Sequence, residues 1–146
     1  MEKICLGWRE WVTLPDLGVS KIKVKVDTGA RTSALHAEDI RIFRRRGQGK
    51  VIFTIYPFQR SRRGALEVEA DLVEKRVVRS SVGVETHRPV IRTHLELAGH
   101  CRLIEVTLVN RDIMGFRMLL GRQALRENFL VDPGHSFLQS KGPKRT

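Results

Sequence analysis

Apolar and polar residues alternate at a period of two along much of this 146-residue chain, and this pattern constrains the fold more than any other feature. The clearest segment is 66–72, where even positions are apolar and odd positions are acidic. Such alternation is typical of a β-strand with one buried face and one face in water. The sequence predicts strands over residues 8–14, 22–26, 51–56, 66–72, 76–80, 89–97 and 103–109.

Turn-forming residues separate these strands, and helical patterns are few. The basic segment 44–50 is predicted to be a hairpin tip because it contains two glycines. Helical patterns occur only as a brief turn over 33–37 and over 122–128. Many short strands with one late helix and no internal repeat predict an all-β fold, a small closed β-barrel. We expect this domain to span residues 1–138, with a basic, disordered tail over 139–146.

The composition adds a strong positive charge. Lys and Arg number 27 against 16 Asp and Glu, which gives a net charge of +11 and a pI of about 10.6. Such a charge attracts anionic partners without distinguishing nucleic acid, a membrane surface or an acidic peptide. Cys5 and Cys101 lack Cys-x-x-Cys spacing, and no apolar run approaches the thickness of a bilayer. We therefore expect a soluble, cytoplasmic protein without a disulfide framework.

The strand predicted over 22–26 ends in Asp27-Thr28-Gly29-Ala30, a sequence that occurs once. A carboxylate at a strand end, followed by a small hydroxyl residue and then Gly, meets the needs of an aspartic peptidase: the strand fixes the acid and Gly permits a tight turn. The same residue types also end ordinary strands, so the tetrapeptide alone leaves both interpretations open. A single copy supplies half of an aspartic peptidase site.

A second motif favours the catalytic interpretation. The apolar run 118–120 precedes Gly121, Arg122 and a helix-like segment about ninety residues after the first motif. In retropepsins a strand of this kind packs behind the catalytic turn, and a short helix follows it. Both motifs occur once and in the same order here, which is consistent with one retropepsin-like subunit.

Longer blocks resemble one bacterial family, the RimK-associated retropepsin-like peptidases, which often carry the label "ATP-dependent zinc protease". The resemblance covers about residues 4–137, nearly the whole chain. It rests on blocks at 7–15 (GWREWVTLP), 25–37 (KVDTGARTSALHA), 79–81 (RSS), 88–91 (RPVI), 110–112 (NRD) and 119–122 (LLGR).

A single Asp27 per chain predicts a two-fold homodimer, because aspartic peptidases need two carboxylates that share a proton. A two-fold interface brings each residue on the axis next to itself. Thr28 would then hydrogen-bond across the axis, while Gly29 and Ala30 would form the floor of the site. By likeness to viral retropepsins, Arg122 is expected to brace the fold and the dimer through an acidic partner.

Positions around the catalytic turn suggest the substrate. In retropepsins the residues just after this turn border the substrate, and the first of them here is Arg31, whose planar fork pairs well with carboxylates. The segment 79–85 is interpreted as the flap that covers the substrate, or alternatively as an ordinary surface hairpin. The family resemblance implies oligoglutamate tails of the kind added by a RimK-type ligase. The predicted substrate-binding residues are Lys25, Ala30, Arg31, Arg79, Ser80, Ser81, Arg88, Arg92 and Leu119.

No cofactor is predicted. The five histidines form no His-Glu-x-x-His motif and no i, i+4 pair, so we expect no metal, and no phosphate-binding loop supports ATP dependence. His36, the one histidine near the catalytic motif, is interpreted as a hydrogen-bonded structural residue. Two rivals remain open: a basic β-barrel that binds nucleic acid, and a catalytically silent retropepsin-like domain. Few aromatic residues argue against the first, and the intact Asp27 motif argues against the second.

Overall fold

The computed structural model describes residues 2–79, 81–110 and 115–143. They form eleven strands and one α-helix. In chain order these are β1 (Ile4–Gly7), β2 (Arg9–Leu14), β3 (Val19–Val26), β4 (Ser33–His36), β5 (Glu38–Arg45), β6 (Gln48–Ile55), β7 (Leu66–Arg79), β8 (Glu85–Leu97), β9 (His100–Val109), β10 (Met118–Leu120), α1 (Arg122–Leu125) and β11 (Phe129–Asp132).

Six of the strands close into a barrel in the order β2, β3, β10, β4, β9 and β8. The barrel closes where Thr13 of β2 pairs with Glu96 of β8. Alternate residues of β2 and β3 point inward, as the period of two predicts. The core that they enclose includes Ile22, Leu35 and Leu120, each of which is fully buried. The predicted all-β fold with a closed barrel is confirmed.

Strands β7, β6 and β5 extend the sheet outward from β8. The β5–β6 hairpin turns at Arg46 and Gly47, both of which have positive φ angles, at 52° and 79°. Two successive left-handed residues match the right-handed twist of the flanking strands, and Gly adopts this conformation without strain. The predicted hairpin tip is therefore confirmed.

Several boundaries differ from the sequence-based prediction. Residues 33–36, predicted as part of a helical turn, form strand β4, which pairs with β10 on one side and β9 on the other. Pairing with strands that are distant in sequence therefore determines the structure of this segment, in spite of the weak helical preference predicted for residues 33–37. The segments 66–72 and 76–80, predicted as two strands, run together in β7, which continues through a bulge between its pairings at Leu72 and Glu74. The predicted helix over 122–128 ends at Leu125.

The segment after β11 folds back against β2. Glu10 is fully buried, and its carboxylate accepts hydrogen bonds from the backbone N–H groups of Gly7, Leu138 and Gln139 and from the Ser140 hydroxyl. Gln139 and Ser140, which the sequence assigned to a disordered tail, are thus held by side-chain and backbone contacts. Within the described residues, no helix is long and apolar enough to cross a membrane.

Candidate active site

The predicted catalytic turn, residues 27–31, leaves the barrel at the end of β3. The Asp27 backbone N–H donates to the carbonyl oxygen of Leu120 at 2.8 Å. The Asp27 carboxylate accepts a 2.8 Å hydrogen bond from the N–H of Gly29, so the turn folds around the side chain that it presents. Asp27 is half-buried, and Thr28 and Gly29 are exposed. The carboxylate is therefore held at the surface with a defined orientation.

Strand β10 packs behind this turn, as the apolar motif predicted. It lies between β3, to which it is parallel, and β4, to which it is antiparallel. Gly121 follows β10 and lies in close contact with the backbone of Thr32. A Cβ atom at position 121 would lie 2.5 Å from the Thr32 carbonyl oxygen. The N–H of Gly121 donates to the buried hydroxyl of Ser33 at 3.1 Å. Only a residue without a side chain fits between the catalytic turn and helix α1.

The first residues of α1 hydrogen-bond to the turn. The backbone N–H groups of Arg122 and Gln123 donate to the carbonyl oxygens of Ala30 and Arg31 at 2.8 Å and 3.0 Å. The Arg122 guanidinium donates to the Thr28 carbonyl oxygen at 3.0 Å. Arg122 therefore braces the turn by hydrogen-bonding to a carbonyl oxygen. The sequence had predicted an acidic partner.

A basic cleft of about 340 Å³ opens beside the turn, and we call it the Arg31 cleft. It is lined by Arg31, Thr32, Arg76, Glu105 and Gln123. Arg31, expected to border the substrate, is exposed in this cleft. Sequence reasoning missed Arg76, because its place inside the predicted strand 76–80 gave no sign that it faces the turn.

Two further arginines approach this cleft from β8. Arg92 donates to Glu105 at 3.2 Å, and Arg76 lies 3.8 Å from the same carboxylate. Arg88 pairs with Arg76 across the β7–β8 ladder and so lies on the same face of the sheet. Arg76 also donates to Glu74 at 2.7 Å. Two carboxylates, those of Glu74 and Glu105, thus accompany four arginines in this region, which leaves it electropositive.

The remaining predicted substrate residues occupy varied positions. Lys25 is half-buried on β3 and pairs with Leu119 of β10. Leu119 is buried, with 6% of its surface exposed, so it presents little area to a ligand. Ala30 is half-buried in the catalytic turn.

The segment interpreted as a flap is the tip of the β7–β8 hairpin. Arg79 and Glu85 form the last backbone pair before the tip, and Gly83 in the tip has a φ of 83°. Ser81 and the two tip valines, Val82 and Val84, are exposed. Ser80 and the side chain of Arg79 lie outside the described part of the chain, so their roles stay predictions. The hairpin is confirmed, and its action as a flap is not tested.

Comparison with known proteins identifies the family of this chain. Residues 5–142 match the family model described as RimB-like, the retropepsin-like aspartic endopeptidase RimB. The chain belongs to the RimB-like family. The family resemblance inferred from the sequence is therefore confirmed, and the membership supports a peptidase.

Relatives of this RimB-like chain include much longer proteins. A probable alpha-L-glutamate ligase from Shewanella halifaxensis is 47% identical over 135 residues, and one from Shewanella pealeana is 47% identical over 141 residues. These matches cover 92% and 96% of this chain but 30% and 31% of the relatives, so the chain spans about three-tenths of their length.

A solved structure shares the fold of this RimB-like chain. It is the crystal structure of a Legionella pneumophila protein of unknown function, which is 29% identical with a TM-score of 0.77. The match covers 95% of this chain and all of the other.

The label "zinc protease" requires side chains that can hold a metal ion. Within the described ranges, no group of three His, Cys, Asp or Glu side chains is arranged to hold a metal ion, so these residues do not fit a zinc site. His36 is buried, and its Nε2 lies 3.0 Å from Glu38 Oε2. This contact with His36 is the main cause of the lowered pKa of Glu38. His36 therefore has a hydrogen-bonded, structural contact, as the sequence suggested.

Proposed function

We propose that this protein hydrolyses acidic peptides, oligoglutamate in particular, with a water molecule activated by the Asp27 carboxylates of two subunits. The observation that carries the proposal is the Asp27 turn itself, clamped between β3, β10 and α1 with its carboxylate at the surface. Family membership supports the reaction class.

The reaction needs one ionised and one protonated carboxyl group. The ionised Asp27 takes a proton from water as its oxygen attacks the scissile carbonyl carbon. The protonated Asp27 of the second subunit gives its proton to the carbonyl oxygen, which forms a tetrahedral intermediate. The C–N bond then breaks as the proton taken from water passes to the leaving amine, and one hydroxyl of the intermediate returns its proton to the second Asp27 as the carboxyl product forms. Thr28 is exposed beside Asp27, and we expect it to hydrogen-bond to its symmetry mate in such a dimer.

The charge around the turn supports an acidic substrate. Arg31 and Arg76 line the same cleft, and Arg92 contacts its one acidic residue, Glu105. Each arginine fork can bind a glutamate side chain with two hydrogen bonds. The relatives are named probable alpha-L-glutamate ligases, which supports a glutamate polymer as the substrate.

The test compares oligoglutamate with a neutral peptide as substrates for wild type and three variants. Asp27→Asn should lose hydrolysis by orders of magnitude, because the amide cannot act as the ionised base. Arg31→Glu should lower kcat/KM for oligoglutamate far more than for the neutral peptide, by about tenfold or more, since a charge-assisted contact contributes about 1.5 to 3 kcal/mol. Arg44→Glu at the β5–β6 tip is the matched control and should leave this ratio nearly unchanged.

Salt and chelator complete the experiment. Cleavage of oligoglutamate should weaken as salt rises, because exposed charge pairs are screened. Equal cleavage of oligoglutamate by wild type and Arg31→Glu, or a wild-type preference for an apolar peptide, would contradict the substrate. Loss of activity on chelation, restored by zinc, would contradict the metal-free mechanism.

A further inference from the structure

A second cleft, of about 590 Å³, lies on the outer face of β2 and β3, and we call it the tryptophan cleft. Three cationic side chains line it: Arg9, Lys23 and Arg60. No Asp or Glu is among the described residues of its lining. A concentration of cations without acids attracts an anionic ligand.

Aromatic residues of this cleft contact two of the three cations. The Arg9 guanidinium lies 4.8 Å from the ring centroid of Trp8, and the Lys23 ammonium lies 5.7 Å from that of Trp11. Cations over aromatic rings are attracted by the negative ring face. A nucleobase that stacked on these covered faces would displace the cations. The arrangement therefore favours an anionic side chain over a stacked base.

The electrostatics of Lys23 point the same way. Burial is the main cause that lowers the pKa of Lys23, and repulsion by Arg9 and Arg60 adds to it. Arg9 and Arg60 are thus each close enough to Lys23 to repel it. A bound carboxylate would relieve this repulsion and would favour the charged form of Lys23.

The tryptophan cleft is continuous with the catalytic strand. The backbone N–H of Val26, one residue before Asp27, donates to the Trp8 carbonyl oxygen at 2.8 Å. Arg9 pairs with Lys25 across β2 and β3. In the sheet order, β2 and β3 lie on one side of β10, and β4 and β9, which lead to the Arg31 cleft, lie on the other. The strands that line the two basic clefts therefore lie on opposite sides of β10 in the sheet order.

We propose that the tryptophan cleft is a second subsite for acidic peptides, which binds carboxylates of substrate residues remote from the scissile bond. This inference rests on the proposed function and adds a length requirement to it. A peptide must span several residues to reach both the Arg31 cleft and the tryptophan cleft, since each extended residue adds about 3.3 to 3.6 Å. Short oligoglutamates should then be poor substrates.

Tryptophan fluorescence tests the subsite without depending on catalysis. The chain contains two tryptophans, and both line this cleft. Asp27→Asn protein titrated with oligoglutamate of eight or so residues should show a saturable change in emission. In the Asp27→Asn background, a second substitution, Lys23→Gln or Arg60→Gln, should raise the half-saturating concentration of oligoglutamate about tenfold. Arg44→Gln, an exposed arginine at the hairpin tip, is the control and should leave it unchanged.

The outcomes separate the subsite from the proposed reaction. Unchanged emission at saturating oligoglutamate, while wild type still cleaves it, overturns the subsite and leaves the function intact. A saturable change reduced by Lys23→Gln, without any cleavage by wild type, supports the subsite and overturns the function. An equal response to inorganic phosphate or to an oligonucleotide at the same concentration overturns the assignment to acidic peptides.

Discussion

Because Gly121 has no side chain, the backbone of the predicted catalytic turn can pack directly against it. A Cβ here would meet the Thr32 carbonyl oxygen at 2.5 Å and its carbonyl carbon at 2.6 Å, and both are backbone atoms. Gly121→Ala should therefore lower the free energy of unfolding by about 1 to 3 kcal/mol, a range typical of overpacked sites. Denaturant unfolding measures this change.

Gly49→Ala provides the matched comparison. A Cβ at position 49 would meet only the Leu72 side chain, at 3.4 Å, which is ordinary contact. Gly49→Ala should therefore change the free energy of unfolding by no more than about 0.5 kcal/mol. If the two variants have the same free energy of unfolding, the backbone around Gly121 can shift to accept a Cβ atom. Stability would then not depend on close packing at this position.

Asp16 links the turn before β3 to β8 through a pH-sensitive contact. Its carboxylate accepts from the His94 backbone N–H at 2.9 Å and lies 2.7 Å from the ring Nδ1. The backbone bond from His94 is the main cause that lowers the pKa of Asp16 below 3.8. Because the folded pKa is lowered, the contact stabilises the fold fully above the unfolded value and loses this effect as pH falls through the folded value.

Asp16→Asn should thus reduce stability at neutral pH, with a difference from wild type that shrinks below about pH 4. The side chain is half exposed, so added salt should reduce the difference as well. Unfolding curves collected from pH 3 to pH 7 measure it. A difference that grew toward low pH would contradict the assignment.

At the scale of elements, Glu10 on β2 fastens the segment that follows β11. Glu10→Gln replaces an acceptor oxygen with an amide that faces backbone N–H groups, and it should lower the free energy of unfolding by about 1 to 3 kcal/mol. It should also speed proteolysis near Lys141, which follows the released segment. Glu67→Gln, at an exposed acid on β7, should change neither quantity. Unaltered proteolysis in Glu10→Gln would show that other contacts hold the segment.

Local sequence patterns predicted the elements that depend on local physics. The β5–β6 tip followed from its glycines, and β10 followed from an apolar run before Gly121. Strand β4 was missed because its strand form depends on pairing with β9 and β10, which are distant in sequence. Arg76 and the tryptophan cleft were missed for the same reason, since separate strands bring their residues together only in the fold.

At the scale of the molecule, one Asp27 per chain and a net charge of +11 suggest a shared active site that attracts acidic peptides. The fold places the Asp27 turn at the surface of the barrel and leaves Thr28 and Gly29 exposed beside it. An exposed half-site suits a two-fold partner that contributes the second carboxyl group. Homodimer formation is a prediction that activity measurements can test directly.

Mixing wild type with increasing fractions of Asp27→Asn, at constant total protein and after subunit exchange, tests the central claim most directly. If both subunits supply a catalytic Asp27, mixed dimers are inactive and oligoglutamate hydrolysis falls with the square of the wild-type fraction, to about one quarter at equal amounts. Hydrolysis that falls in simple proportion to the wild-type fraction, or that persists with Asp27→Asn alone, would contradict it.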